Sequence, residues 1–339
     1  MNYSDLLRRA ISGQHLDRAG THWAFGQIMD GQWSEAQVAG LLVALSAKGE
    51  TVDEIAGAAE AMREHVVKID TGGQDVIDTC GTGGTGLRTF NISTAAAMVV
   101  AGCGVKVAKH GNRTSTRPSG SADVLALLGV NIDADAATAA RCLREAGVCF
   151  CFAVRCHPAM RYAAPVRKSL GVRTIFNVLG PLTNPAGATS QLMGVFDARW
   201  TDPIAHVLKA LGSRSAMVVH ADDGLDEIST TSVTRISCLR DGQVADLTVK
   251  PEDFSLARAC MEDLLVTTAA ESADAIRKVL AGAKGPHRDI VLLNAAAALA
   301  VAGKAADIPA GLAMAADSID LGAAASALSR LIAVSGGRN

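Results

Sequence analysis

The chain has 339 residues, 49% of them apolar and 4% aromatic, with a formal net charge of -2. That length and apolar fraction exclude disorder and allow a substantial buried core, in one large domain or two unequal ones. The near-neutral charge excludes a global field that would draw in nucleic acid or an anionic membrane, so any anion must be met by a local site.

The first seventy residues read as helices only. "SDLLRRAIS" and "DRAGTHWAFGQIM" carry apolar residues at helical spacing. "SEAQVAGLLVALSAKGE" opens with Ser34 and has Gln37 three residues on, and "TVDEIAGAAEAM" opens with Thr51 and has Glu54. Both are capping-box patterns, in which a hydroxyl and a longer polar side chain satisfy orphan backbone donors, and Gly49 between them suits a helix stop. The N-terminal stretch has no apolar run of signal-peptide length, and the longest apolar run, Ile290 to Ala302, is too short to span a bilayer. The expectation is a soluble, cytoplasmic protein.

From about Asp75 the pattern changes. "DVIDTC", "VKVAKHG", "VCFCFAV" and "SAMVVHADDG" read as strands, separated by helical "STAAAMVVAGC", "SADVLALLGV" and "ATAARCLREAG". Such alternation predicts a mostly parallel sheet covered on both faces. The eight cysteines include no C-x-x-C pair, and Cys149 and Cys151 share one face of a strand, so they read as free, buried thiols rather than a zinc site. Residues His157 to Gly187 hold four prolines and several cations, an irregular crossover more suited to serving a site than to completing a sheet. The tail, from "SADAIRKVLAGAKG", returns to helices.

Three loops follow strands and carry the chemistry. The first, Gly81-Thr82-Gly83-Gly84-Thr85-Gly86, precedes a helix expected to start near Ser93. Its bare amides can approach oxyanions, with Thr89, Asn91, Ser93 and Thr94 as further donors; Ser93 or Thr94 is equally expected to cap the helix. The second, Lys106 to Ser121, holds Lys109, Arg113 and Arg117 with His110 and Asn112 between them and no acid within Lys109 to Arg117. A solvated face would explain that run, and so would a phosphate cradle at the ligand-binding edge of an open α/β sheet. The third, "HADDGLDE", packs four carboxylates into one turn. Solvent could neutralise them, or Mg²⁺ could, with Asp226 and Glu227 as the chosen pair.

"GTGGTG", "FNIST", "KHGNR", "SGSADVLALLG", "HPAMR", "PVRKSLGVRTIFNVLGPLTNPA" and "DDGLDE" together resemble the anthranilate phosphoribosyltransferase family, in that family's order and along the whole chain. The resemblance implies a nucleoside-phosphorylase-like fold: a small helical domain, residues 1–72 with 158–187 joining it, and a larger α/β domain, 73–157 and 188–339. It implies transfer of a phosphoribosyl group from phosphoribosyl pyrophosphate (PRPP) to the amine of anthranilate in tryptophan biosynthesis, by a homodimer joined through the helical domain.

Carried over by position, Gly81, Gly84, Thr89, Asn91, Ser93, Thr94, Lys109 and Ser121 would contact the donor. Thr85, Ile92, Gly111, Arg113, Thr116 and Arg117 would complete the substrate-binding set. Ser93, Asp226 and Glu227 would hold Mg²⁺. Asn112 and Arg167 would face anthranilate, with His110 and His157 at the mouth of its path, and Lys109 and Arg167 would be catalytic. The chain departs from the family pattern at Thr85, where an acid is usual, at Thr116, Arg117 and Pro118, and at Val154, where proline is common near the acceptor side. Three alternatives stand beside this reading: transfer to another aromatic acceptor, phosphorolysis of a pyrimidine nucleoside, and a non-catalytic nucleic-acid-binding relative. The retained Asp226-Glu227 pair and Arg167 disfavour the last, and no nucleic acid or membrane partner is expected.

Overall fold

The computed structural model describes residues 2–113 and 120–337. The chain opens with four helices, α1 (Tyr3–Ile11), α2 (Arg18–Met29), α3 (Glu35–Lys48) and α4 (Val52–Glu64). Both capping boxes form: Ser34 with Gln37 starts α3 and Thr51 with Glu54 starts α4, while Gly49, at φ +87°, ends α3. Glu54 also accepts the Leu16 amide at 2.8 Å and pairs with Lys48 at 2.8 Å, so a cap residue becomes part of a buried ion pair.

Seven strands make one sheet: β1 (Ile77–Asp78), β2 (Val107–Gly111), β3 (Val148–Phe152), β4 (Ser190–Gly194), β5 (Ser215–Ala221), β6 (Thr234–Arg240) and β7 (Gln243–Val249). Their order is β3-β2-β1-β4-β5-β6-β7. The first five strands pair in parallel; β6 and β7 turn antiparallel. The expected fold class, a small helical part and a larger α/β part with a mostly parallel sheet, is the one observed.

Three strands were not anticipated. β4 is short and contains Gln191, so it lacks an unbroken apolar run. β6 and β7 flank Asp241-Gly242, both at positive φ (+52° and +72°), a turn whose twist matches paired strands.

Side chains leave a strand alternately on its two faces, and here the faces feed two cores. Leu192, Met217, Val219 and Ile236 join the core built by the helix Ile92–Gly102 (α5) and by the C-terminal helices. Met193, Val195, Ala216, Val218 and Leu239 point the other way, into a core shared with α1 to α4, the helix Thr201–Ala210, and Ala163, Val166, Phe176, Leu179 and Leu182 of the irregular crossover. That crossover folds as the short helices Pro158–Tyr162, Ala164–Leu170, Phe176–Leu179 and Gly180–Thr183.

All eight cysteines are free, and the Cys149 and Cys151 sulfurs lie 3.9 Å apart on one face of β3. Among the described residues no single helix is long and apolar enough to cross a membrane. The bent pair Ile308–Asp320 and Ala323–Ser335 passes that test together, but Ile308, Ala315, Ile319, Ala324, Ala327 and Leu331 are buried in the core.

Candidate active site

In a parallel sheet the loops leaving the carboxyl ends of the strands share one edge. Here the glycine loop leaves β1, the cationic loop leaves β2 and the acidic loop leaves β5. They surround a cavity of about 730 Å³.

Gly81, Gly84, Thr89, Asn91, Ile92 and Ser93 line this cavity from the first loop, and Lys109, His110, Gly111, Asn112, Arg113 and Ser121 from the second. Arg167 lines it from the crossover, and Asp226 and Glu227 from the acidic loop. Thr85, Thr94 and His157 are not among its lining residues. Thr116, Arg117 and Pro118 lie outside the described residues. Val154 lines a separate cavity beside Phe150, Phe152 and Arg155, so its substitution does not touch this wall.

The glycine loop is held by hydrogen bonds. Gly83 and Gly84 take φ of +62° and +76°, where a side chain would strain the backbone. The Thr82 amide donates to the Gly194 carbonyl at 2.8 Å, and the Gly83 amide donates to Asp226 Oδ2 at 3.0 Å. Gly194 must be glycine for this packing, because a Cβ there would collide with the Asp226 carbonyl. The acidic loop thus reaches across and ties down the glycine loop.

The expected cap of α5 does not form. Asn91 is the N-cap residue and makes no side-chain capping bond. Ser93 is drawn elsewhere: its amide donates to Glu227 Oε1 at 3.2 Å, and its hydroxyl accepts from Lys109 Nζ at 3.2 Å. Thr94 is fully buried with its hydroxyl unpartnered, which accounts for its absence from the cavity wall.

Lys109 is only 2% exposed, with its ammonium held between Ser93 and the Thr79 carbonyl at 3.3 Å. Arg113 has an acid partner that the local run did not suggest, Asp123, at 3.7 Å. Nor do the four acids of the third loop simply repel one another. Asp223 accepts the hydroxyls of Ser229 and Thr231 and the Leu225 amide, so it shapes the turn, while Asp226 and Glu227 face the cavity.

Two neutral histidines meet at the wall, His110 lining the cavity and His157 packed behind it. His110 and His157 approach Nε2 to Nε2 at 3.1 Å, which requires one ring to donate and the other to accept. Burial lowers both pKa values, His110 to about 3, with His157 and Lys109 adding to the effect, and His157 to about 4. His110 also bonds the Gly180 backbone. With one nitrogen on that carbonyl and the other on His157, His110 is not free to take a proton from a ligand.

Arg167 is half-buried, stacked over Phe176 at 5.3 Å, and burial pulls its guanidinium pKa down. It makes no ion pair among the described residues. A half-buried cation of this kind beside a cavity suits an incoming carboxylate.

Residue types and spacing alone did not pick out Asp78, Asn177 or Arg173. Asn177 and Arg173 line the cavity. Asp78 lies beneath it and accepts from Asn184 at 2.7 Å, from the His110 amide at 3.1 Å and from the Cys80 thiol at 3.3 Å. Asp78, Cys80 and His110 are close enough to hold a metal in principle. The donors converging on Asp78 and the elevated pKa of the Cys80 thiol, raised chiefly by burial, argue against that use. The oxygen set of Ser93, Asp226 and Glu227 at the cavity wall does suit a hard divalent cation such as Mg²⁺.

Comparison with known proteins gives a consistent picture. A "Glycosyl transferase family, helical bundle domain" matches residues 4–66, and a "Glycosyl transferase family, a/b domain" matches residues 73–325. The chain is 52% identical over 327 residues to the anthranilate phosphoribosyltransferase of Anaeromyxobacter sp. (strain K), covering 96% of this chain and 97% of that one. Among solved structures it is similar to anthranilate phosphoribosyltransferase from Thermus thermophilus, with a TM-score of 0.93 and 40% identity over 98% of this chain and 99% of that one. It is also similar to the Saccharomyces cerevisiae enzyme in complex with PRPP and Mg, with a TM-score of 0.90 and 26% identity over 98% of each chain.

Proposed function

The chain belongs to the anthranilate phosphoribosyltransferase family, and from that premise we propose how its own residues carry out the transfer. The reaction moves the phosphoribosyl group of PRPP to the amine of anthranilate and releases pyrophosphate. The observation that carries the residue assignment is the meeting of the glycine loop, Lys109, Arg167 and the Asp226-Glu227 pair around one cavity.

The donor's phosphates lie against the glycine-loop amides and Ser93, with Lys109 and Arg113 supplying positive charge. Ser93, Asp226 and Glu227 would hold Mg²⁺, which when bound neutralises charge on the pyrophosphate. Arg167 takes the anthranilate carboxylate and Asn112 helps orient the ring, so the amine is presented to C1 of the ribose.

The C1–O bond to pyrophosphate lengthens first, leaving positive charge on the ribose as in other glycosyl transfers. Lys109 and the loop amides face the departing negative charge from fixed positions, the kind of preorganised electrostatics that contributes most to rate. The amine lone pair then forms the C1–N bond, and its proton leaves to solvent afterwards. No general base is assigned, in keeping with the neutral, mutually bonded pair His110 and His157.

The domain division at residues 72 and 73, with 158–187 joining the helical part, belongs to this proposal; the core shared by α1 to α4 and the crossover supports it. So does a homodimer through the helical part, supported by an apolar groove of Leu7, Ala10, Ile11, Ala39, Val43 and Ala47 in which Ile11 is 70% exposed. The free thiols suit a reducing, cytoplasmic compartment.

Mixing the protein with Mg²⁺, PRPP and anthranilate should extinguish anthranilate fluorescence in step with pyrophosphate release. Pyrophosphate release only with a different aromatic amine would reassign the acceptor.

A further inference from the structure

Arg173 follows the helix that carries Arg167 and lines the same cavity. Its Nη2 donates to the Gly84 carbonyl at 2.7 Å, and its guanidinium lies over the Phe196 ring at 4.1 Å. That ring belongs to a fixed frame, because the Phe196 amide donates to Thr82 Oγ1 at 3.0 Å while the Thr82 amide donates to Gly194.

Gly83 and Gly84 offer no side chains for packing, and a Cβ at either would meet nothing within 4 Å. Hydrogen bonds therefore decide the loop's shape. Asp226 holds the Gly83 amide and Arg173 holds the Gly84 carbonyl. A peptide unit is planar and trans, so fixing that carbonyl also fixes the direction of the Thr85 amide.

We propose that Arg173 is a positioning residue that clamps the glycine loop to the segment carrying Arg167, so that the loop takes its donor-binding shape only with the acceptor-side segment in place. The clamp's role in turnover rests on the transfer reaction proposed above; its hold on the loop does not.

The test uses full-length Arg173→Ala, Arg173→Lys and Phe196→Leu proteins. Without any substrate, amide hydrogen exchange in residues 81–86 should quicken about tenfold in Arg173→Ala, the scale of one charge-assisted hydrogen bond at an exposed site. Lysine can still donate to the Gly84 carbonyl, so Arg173→Lys should restore part of the protection, and Phe196→Leu should lose part of it. Melting temperatures should stay at the wild-type value, because Arg173 is exposed. In turnover, KM for PRPP should rise about tenfold in Arg173→Ala with little change in KM for anthranilate. Wild-type exchange rates in Arg173→Ala, or equal rises in both KM values, would overturn the clamp. A wild-type protein that consumes no anthranilate, with loop exchange still quickened in Arg173→Ala, would uphold the clamp and remove the reaction.

Discussion

Asn184 Nδ2 donates to Asp78 Oδ2 at 2.7 Å and to the Ala108 carbonyl at 2.7 Å, pinning the crossover to both β1 and β2 directly below the cavity. Asp78 is fully buried, and burial pushes its carboxyl pKa up against the opposing pull of Lys109 and of its hydrogen-bond donors. Asn184, the His110 amide and Cys80 all donate to this carboxyl, so the site requires a pure acceptor.

Asp78→Asn places an amide NH₂ among those donors. It should cost about 1–3 kcal/mol of stability, the range for leaving a buried polar group without its partner. Urea denaturation measures this, and an unchanged midpoint would show that Asp78 is not a structural node.

Acid should destabilise the fold through the histidine pair. Free histidine titrates near 6.5, whereas burial holds His110 and His157 at about 3 and about 4. Below about pH 6.5 the unfolded chain binds protons that the folded one refuses, so stability is complete above that pH and falls as pH drops toward 4. The limiting slope is about 1.4 kcal/mol per pH unit for each histidine. Melting temperatures should therefore decline between pH 7 and pH 5 in wild type and decline less in His157→Gln. A flat profile in wild type would contradict the neutral buried pair.

Arg167→Ala should raise KM for anthranilate by about ten- to a hundredfold, as expected for loss of a charged hydrogen-bonding partner. KM for PRPP should change much less. Steady-state kinetics with each substrate varied in turn decides this, and an unchanged anthranilate KM takes Arg167 out of the acceptor site.

Replacing Asp226 and Glu227 with Asn and Gln should abolish Mg²⁺-dependent turnover, while Asp223→Asn should mainly loosen the turn. Asp226 also anchors the Gly83 amide, and because asparagine keeps an acceptor oxygen for that bond, the double variant should lose only about a few-fold in PRPP binding without added metal. Calorimetric titration with PRPP, with and without Mg²⁺, separates the two effects. Full Mg²⁺-dependent activity in the double variant would rule out the pair as metal ligands.

What the sequence alone disclosed follows from the range of each interaction. Ser34 with Gln37, Thr51 with Glu54, and Gly49 act within one helical turn, so their pattern can be read directly. The glycine loop and the Asp226-Glu227 pair are visible because unusual residue types cluster in short stretches. Ser93 looks like a cap in the sequence because its partners, Lys109 and Glu227, are brought near only by the sheet. Asp78 with Asn184 and Gly84 with Arg173 are likewise distant in sequence, and no local pattern marks either pair. The β6–β7 hairpin differs from these, since its turn at Asp241-Gly242 is a local signal carried by two adjacent residues at positive φ.

The change from parallel to antiparallel pairing after β5 has an effect on engineering. Ala221 and Thr234 are partners across β5 and β6, so residues 222–233 leave and re-enter the sheet at neighbouring positions. The acidic segment is consequently a self-closed cassette whose ends the sheet already holds together. Exchanging it for another turn need not reroute the chain, provided the bonds from the Gly83 amide to Asp226 and from the Ser93 amide to Glu227 are kept. The crossover bearing Arg167 and Arg173, by contrast, is packed into the core shared with α1 to α4 and offers no such seam.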